Sequence, residues 1–361
     1  MFGCDVYHPE AFDDQDAGAD AGGQDAGVDA GLDAGPTDAG FDAGPTDAGF
    51  DAGYVCIPRV PPPRPTGGGD GADLVFVLRN VVLEQGGTVW NELGFDLDRT
   101  CTISISTTTC EPRSGASPAL DGLDGVDNAN GREILIGLTL INPGLQRAAQ
   151  AQQDLGISAM VLHIAGYDGG DDDALVTASL SQSLYAVPMG GARWDILAWD
   201  GTDTFFASER DYVDGDVARP LVVDSAAYVH GRTLVMHLPE GRTIYLPWAS
   251  NPLAVRLTDA VLVGELSEDL SRIDDVRLAG RWALVDIGTS LTQIGQCPGS
   301  SERRSIDALV DRGADIRSDP TSDGLRLPCD SVSSAFGLEG TRAILGGTVP
   351  VPATVDLCPG T

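Results

Sequence analysis

Lysine is absent from this chain of 361 residues: all 22 of its basic residues are arginine. That absence excludes a phosphate-loop lysine, a Schiff-base lysine and a Ser-x-x-Lys nucleophile. Positive charge is scarce altogether. Against 54 acidic residues it leaves a formal net charge of −32. A chain this negative repels nucleic-acid backbones, so no nucleic-acid partner is expected. It attracts cations instead. No run of about 20 apolar residues occurs, so no segment reads as a membrane span. Histidine is rare, with four in the chain. Neither a Gly-x-Ser-x-Gly elbow nor a His-Glu-x-x-His motif is present. The expectation is a protein that is not an enzyme, although a glycosidase-type carboxylate pair stays open among so many acids.

Cysteine is sparse but informative. Cys4 follows Phe2-Gly3 and precedes a polar acidic stretch, the surroundings of a lipidated cysteine at the end of a lipoprotein signal. The charged and apolar regions of such a signal do not precede it. The other six, Cys56, Cys101, Cys110, Cys297, Cys329 and Cys358, are an even number, suited to three disulfides in an oxidising compartment. Cys101 and Cys110 are close enough to close a hairpin loop, a bond contributing roughly 2–3 kcal/mol in the chain-entropy picture. The remaining pairings stay open.

Residues 1–55 carry 13 acids and no Lys or Arg. Asp-Ala-Gly occurs nine times between Asp16 and Gly53, and the nonapeptide Asp33–Phe41 repeats as Asp42–Phe50. The segment lacks the paired glycines and regular apolar position of calcium-binding β-rolls. Its apolar content is too small to offset its ordering entropy, so it reads as a disordered acidic tether. As a flexible coil the repeat would span about 35 Å. Five prolines between Pro58 and Pro65 add a stiffer neck.

The Asp-Ala-Gly repeat behind Cys4 resembles the tethers of surface lipoproteins from high-GC Gram-negative bacteria. The resemblance covers residues 4–55 and brings no activity with it. It implies an exported protein held to the cell envelope through a lipid on Cys4, at the outer membrane or cell surface rather than the inner membrane. Asp5 leaves the choice of membrane open, because in some bacteria that residue retains a lipoprotein at the inner membrane.

Beyond the tether the patterning is mainly β. Leu74–Leu78 is a continuous apolar run, as in a strand buried on both faces. Strands are expected at Thr88–Leu97, Cys101–Ser106, Ala159–Ile164, Ala174–Leu180, Leu221–Tyr228, Thr233–Leu238, Thr243–Leu246 and Leu253–Leu266. Glu240-Gly241 is the tight connection between two of these. Helices are expected from an Asn130 cap with Glu133 three residues on, over Leu145–Leu155 and over Glu302–Arg312. A further turn or two of helix is expected at Asp330–Phe336. Many short strands with few helices predict a β-sandwich or jelly-roll body. It divides into 56–215 and 216–361, or runs as one continuous body.

The densest set of metal-ligating residues is Asp121, Asp124, Asp127, Asn128 and Asn130 in one Gly-rich loop, with Asp96 and Asp98 placed to add ligands. Oxygen donors on a flexible loop suit calcium, the expected ion, and the spacing is not that of an EF-hand. The acidic turns Asp168–Asp173 and Asp200–Asp203 read as solvated. Trp194 and Trp199 are the expected contacts if a glycan binds. The sequence therefore predicts an envelope-anchored binding or structural protein stabilised by calcium, with an unidentified protein or glycan ligand. The alternative is an extracellular carbohydrate-binding protein or glycan hydrolase.

Overall fold

The computed structural model describes residues 56–113, 116–117, 119–248, 251–353 and 356–359. Cys4 and the Asp-Ala-Gly repeat lie outside the described residues. The described chain is mainly β with a few short helices. Its strands are β1 (Ala72–Arg79), β2 (Met160–Tyr167), β3 (Asp173–Val187), β4 (Thr204–Ser208), β5 (Val222–His230), β6 (Thr233–His237), β7 (Thr243–Leu246), β8 (Leu253–Leu266), β9 (Arg272–Ala283), β10 (Ser331–Arg342) and β11 (Ile344–Val349). The α-helices are α1 (Val89–Glu92), α2 (Ile136–Ile141), α3 (Leu145–Asp154), α4 (Leu284–Gln293) and α5 (Ser301–Gly313). A π-helical turn at Asn130–Leu135 runs directly into α2.

Eight strands close on themselves in the order β1, β2, β3, β5, β6, β8, β9, β10, each antiparallel to its neighbour. This is an up-and-down barrel, not the sandwich or jelly roll that the patterning suggested. Closure removes the open edges that a sandwich keeps. β1–β3 precede residue 215 and the other five barrel strands follow it, and residues 55–361 form one compact unit.

An eight-stranded barrel has an interior just wide enough for side chains to fill. Leu74, Phe76 and Leu78 of β1 point in with Met160, Leu162 and Ile164 of β2 and Leu234 and Met236 of β6. At the closing seam Leu78 pairs with Gly340, where a Cβ would come within 2.3 Å of Ile273, so the inward position takes only glycine. The alternate residues Val77 and Val161 face outward yet are buried with Phe205 and Ala343, beneath β4 and β11. That outer layer is why Leu74–Leu78 reads as apolar without interruption.

The helices gather at the end where β1 and β9 finish and β2 and β10 begin. Ile134, Leu135, Leu145, Ile287, Leu291, Ile306 and Val310 extend the barrel core there. Just past β1, α3 supplies hydrogen bonds that a neighbouring strand would have made. Gln146 accepts from Leu83 N at 2.7 Å and donates to Val81 O at 2.8 Å, and Gln153 accepts from Val81 N at 3.2 Å.

Three local expectations are corrected. Thr88–Leu97 is not a strand. It holds α1 and then an extended segment whose Leu93, Phe95 and Leu97 lie on the outer barrel wall with Tyr228, Val235 and Val261. Cys101–Ser106 is not a strand either, because the Thr107 hydroxyl accepts from Ile103 N and Ser104 N and folds the segment into a 3₁₀ turn at Ile105–Thr107. Asp330–Phe336 is the start of β10, not a helix. Glu240-Gly241 does turn the chain between β6 and β7, and β7 then pairs with β8.

The six body cysteines form three disulfides, Cys56–Cys101, Cys110–Cys329 and Cys297–Cys358. The expected Cys101–Cys110 bond is absent, because with no hairpin between them each thiol reaches a different partner. Proteolytic mapping without reduction is expected to recover these three linkages, and a Cys101–Cys110 peptide would contradict the fold. The Cys110–Cys329 loop is the largest, at a sequence separation of 219. Chain entropy then makes Cys110→Ser, Cys329→Ser the most destabilising pair, with an upper bound of about 5 kcal/mol in urea titration.

Candidate metal centre

The connection from β1 to the π-helical turn crosses the outer wall of β9 and β10, and the acids gather there. One carboxylate oxygen from each of Asp96, Asp98 and Asp127 lies within 4.8 Å of the others. Oxygens about 2.4 Å from a shared calcium ion stand at most about 4.8 Å apart, so one ion can touch all three.

Backbone geometry fixes the three acids. Asp96 N donates to Arg59 O at 2.8 Å, and Asp127 N donates to Phe95 O at 3.0 Å. Asp127 Oδ2 accepts from Leu97 N at 2.7 Å and Asp98 N at 3.3 Å, while Thr100 N reaches Asp96 Oδ1 at 3.1 Å and Asp98 Oδ1 at 2.9 Å. The Thr109 hydroxyl donates to Asp98 Oδ2 at 2.6 Å. Asp96 Oδ2 is the exception. Asp96 is only 4 % exposed, and among the described residues this oxygen has no hydrogen-bond partner. Gly125, at φ +74°, closes over it, where a Cβ would lie 2.8 Å from Oδ2.

Arg281 of β9, 1 % exposed, holds the ligand segment from behind. Its guanidinium donates to Leu97 O at 2.7 Å, to both carboxylate oxygens of Asp323 at 2.9 and 2.7 Å, and to Arg317 O at 2.9 Å. Asp323 and Asp259 both pair with it, and its attraction on Asp98 is outweighed by that carboxyl's burial.

Burial is the first cause of every pKa shift in the cluster, with like charges adding to it. Asp96 is pushed up to about 6 by desolvation and by Asp98. Asp121 rises to about 8, desolvated and facing Asp98, Asp315 and Asp96, despite accepting from Thr102 N. Asp315 rises to about 7 through burial, against the hydrogen bonds that Ser333 donates to it. Asp98 and Asp127 are raised too, by burial before all else. Carboxylates kept from ionising by burial and by one another are groups that a cation would relieve.

The structure thus brings Asp96, Asp98 and Asp127 together, with Asp121 in electrostatic range. It does not bring the other expected ligands in. Asp124 makes a 3.9 Å ion pair with Arg59. Asn128 is a structural brace, donating to Gln85 Oε1 and Trp90 O and accepting from Gly131 N and Ala335 N. Asn130 neither caps a helix nor faces the acids. Ala129 is the residue before the π-helical turn, and Asn130 lies in a cavity at the barrel mouth. Asp315 sits between α5 and β10, roughly 190 to 220 residues from the other acids, and no local signal in the sequence marks it.

Elsewhere the acids hold turns. Asp173 accepts from Asp168 N and Leu175 N, and Asp203 from Ala198 N and Trp199 N. Trp199 is partly buried, covered by the Arg79 guanidinium at 4.1 Å and packed on Phe205. Trp194 is 59 % exposed and carries Arg193 at 4.5 Å. No protein-family profile, curated protein or solved structure matches the chain.

The raised values set the sign of an acid response. Free of divalent cations, the folded protein holds protons on Asp96, Asp315 and Asp121 at pH values where the unfolded chain has released them. Stability in chelator is therefore expected to fall as pH rises from about 5 to 8. Thermal melts across that range check it, and a melting temperature that rises with pH in chelator would contradict the cluster's burial.

Proposed function

We propose that the chain is an exported binding or structural protein, anchored to the cell envelope through a lipid on Cys4, whose barrel is stabilised by a calcium ion held by Asp96, Asp98 and Asp127. The observation that carries the metal reading is the buried, partnerless Asp96 Oδ2 beside two further carboxylates at ligand spacing. An all-oxygen donor set on an irregular, Gly-containing segment favours calcium over zinc, which takes nitrogen and sulfur, and over magnesium, which demands tighter octahedral geometry. Three disulfides fit an oxidising compartment. No helix among the described residues is long and apolar enough to cross a membrane.

The site also lies where the neck joins the body. Arg59 O accepts from Asp96 N, Arg59 N donates to Asp124 O at 2.9 Å, and Cys56 is bonded to Cys101. An ion on Asp96 would thereby help hold the segment from Cys56 to Arg59 in place.

Thermal melts with calcium and with chelator test the reading. Binding to the folded state alone adds about 2.7 kcal/mol at a hundredfold excess over Kd, a shift of several degrees for a body of this size. Asp96→Asn, Asp127→Asn is expected to remove the calcium shift while raising the melting temperature in chelator, because it deletes buried like charges. Coincident melts of the native protein would sink the reading. In the same samples trypsin is expected to cut at Arg59 faster in chelator than in calcium, which an ion bound elsewhere would not produce.

A second reading, recognition of a glycan, rests on the exposed Trp194 and on Arg193, sandwiched between Trp194 and Tyr185 at 4.5 and 4.3 Å. Glycan-array binding lost in Trp194→Ala would favour it, and a silent array would remove it.

A further inference from the structure

A small cavity of about 10 Å³ lies at the helical mouth of the barrel, lined by Asn130, Ile134, Trp248, Leu253, Trp282 and Phe336 among others. Its walls are almost wholly apolar, with two exceptions. Asn130 is 1 % exposed, and among the described residues neither its Oδ1 nor its Nδ2 has a hydrogen-bond partner. Trp282 is 4 % exposed, and its Nε1 has no partner either. Both residues that carry these three orphaned polar atoms thus line one void. Each atom would carry an uncompensated desolvation penalty if it stayed unsatisfied. Native proteins rarely carry such a cluster without a polar guest.

We propose that this cavity binds a single resident water as an integral part of the fold. The volume sets the guest's size, since about 10–15 Å³ is the room one water needs. Chemistry sets its kind. The guest must accept from the Trp282 indole N–H and the Asn130 amide N–H and donate to the Asn130 carbonyl, and water does all three. Three bonds is the usual number for a buried water. An ion is a poor fit, because apolar walls and uncharged donors offer it nothing against desolvation. The backbone supports the assignment as well. Asn130 opens the π-helical turn, a distortion often found where a helix builds a binding site. The turn leaves Asn130 on the barrel side while Asp127, three residues earlier, reaches the outer wall. The water thereby joins β9 to the segment that carries Asp127.

A crystal structure of the native protein is expected to show one peak at about 2.7–3.2 Å from both Trp282 Nε1 and the Asn130 amide. Oxygen-17 relaxation dispersion, which counts long-lived internal waters, is expected to lose one water in Asn130→Leu. Trp282→Phe keeps an aromatic ring but removes the donor, and is expected to shorten that water's residence time. It also keeps the test open should Asn130→Leu fail to fold. An empty cavity in the crystal, or an unchanged water count in a folded variant, would overturn the proposal. Density too large for a water would overturn it too, in favour of a small organic ligand with an amide-like head.

Discussion

Pairing of β1 with β10 is the contact on which the rest of the structure depends. Seven of the eight barrel contacts join strands that follow one another around the meander, whereas this one joins residues more than 260 positions apart, as in Phe76 with Arg342. It costs the most loop-closure entropy, and every inward side chain gains from it at once. Once the seam closes, the interior is enclosed by eight paired strands and its volume is fixed. Gly340 shows how tightly, since Leu78 and Ile273 already occupy the space that a Cβ there would need. A chain that fills its barrel this completely keeps little interior for chemistry. Irregular features are displaced to two places, the outer wall and the helical mouth.

Strand positions were legible where one face is buried by the barrel itself. Leu253–Leu266 and Thr243–Leu246 fall where alternation placed them, and Leu74–Leu78 is doubly buried as its unbroken apolar run required. The errors share a cause. Leu93, Phe95 and Leu97 do alternate, but their common face lies on the wall of another strand set without joining its ladder. Periodicity reports which side of an extended segment is buried and does not say whether its backbone is paired. At β10 the first residues are mostly serine and alanine, with no β-branched run to signal a strand. What places them there is non-local, because Ser333 answers Asp315 and the strand lies between β9 and β1. Barrel and sandwich also share one alternation pattern. Only the identity of the closing pair separates them, and that pair spans the whole body.

The acid cluster was half legible for a similar reason. The density of Asp and Asn at 121–130 pointed to the right segment, and Asp96 and Asp98 to the right companions. Loop sequence could not say which side chains turn inward. Asn128 and Asn130 look like ligands in composition, yet the first braces backbone amides and the second serves the barrel mouth. Asp315 could not be found at all, because its place beside Ser333 is set by α5 packing against the π-helical turn and not by its neighbours in sequence.

The outer acids and the mouth cavity are linked by two adjacent residues of one strand. On β9 side chains alternate between the two faces of the wall, so Arg281 and Trp282 point in opposite directions. Arg281 reaches out to Leu97 O and Asp323, fixing the segment of Asp96 and Asp98. Trp282 reaches in to the void that Asn130 shares. The segment from Asp127 to Asn130 meets the same strand pair from both sides. Asp127 is held outside by Leu97 N, and Ala129 N is held by Ser333 of β10. A change of charge on the outer acids therefore acts on a short segment braced against a barrel wall that cannot yield without opening its ladder. Rigid support of this kind lets a protein keep several carboxylates buried close together, because the repulsion among them cannot be relieved by moving apart. It leaves protons or a cation as the means of relief.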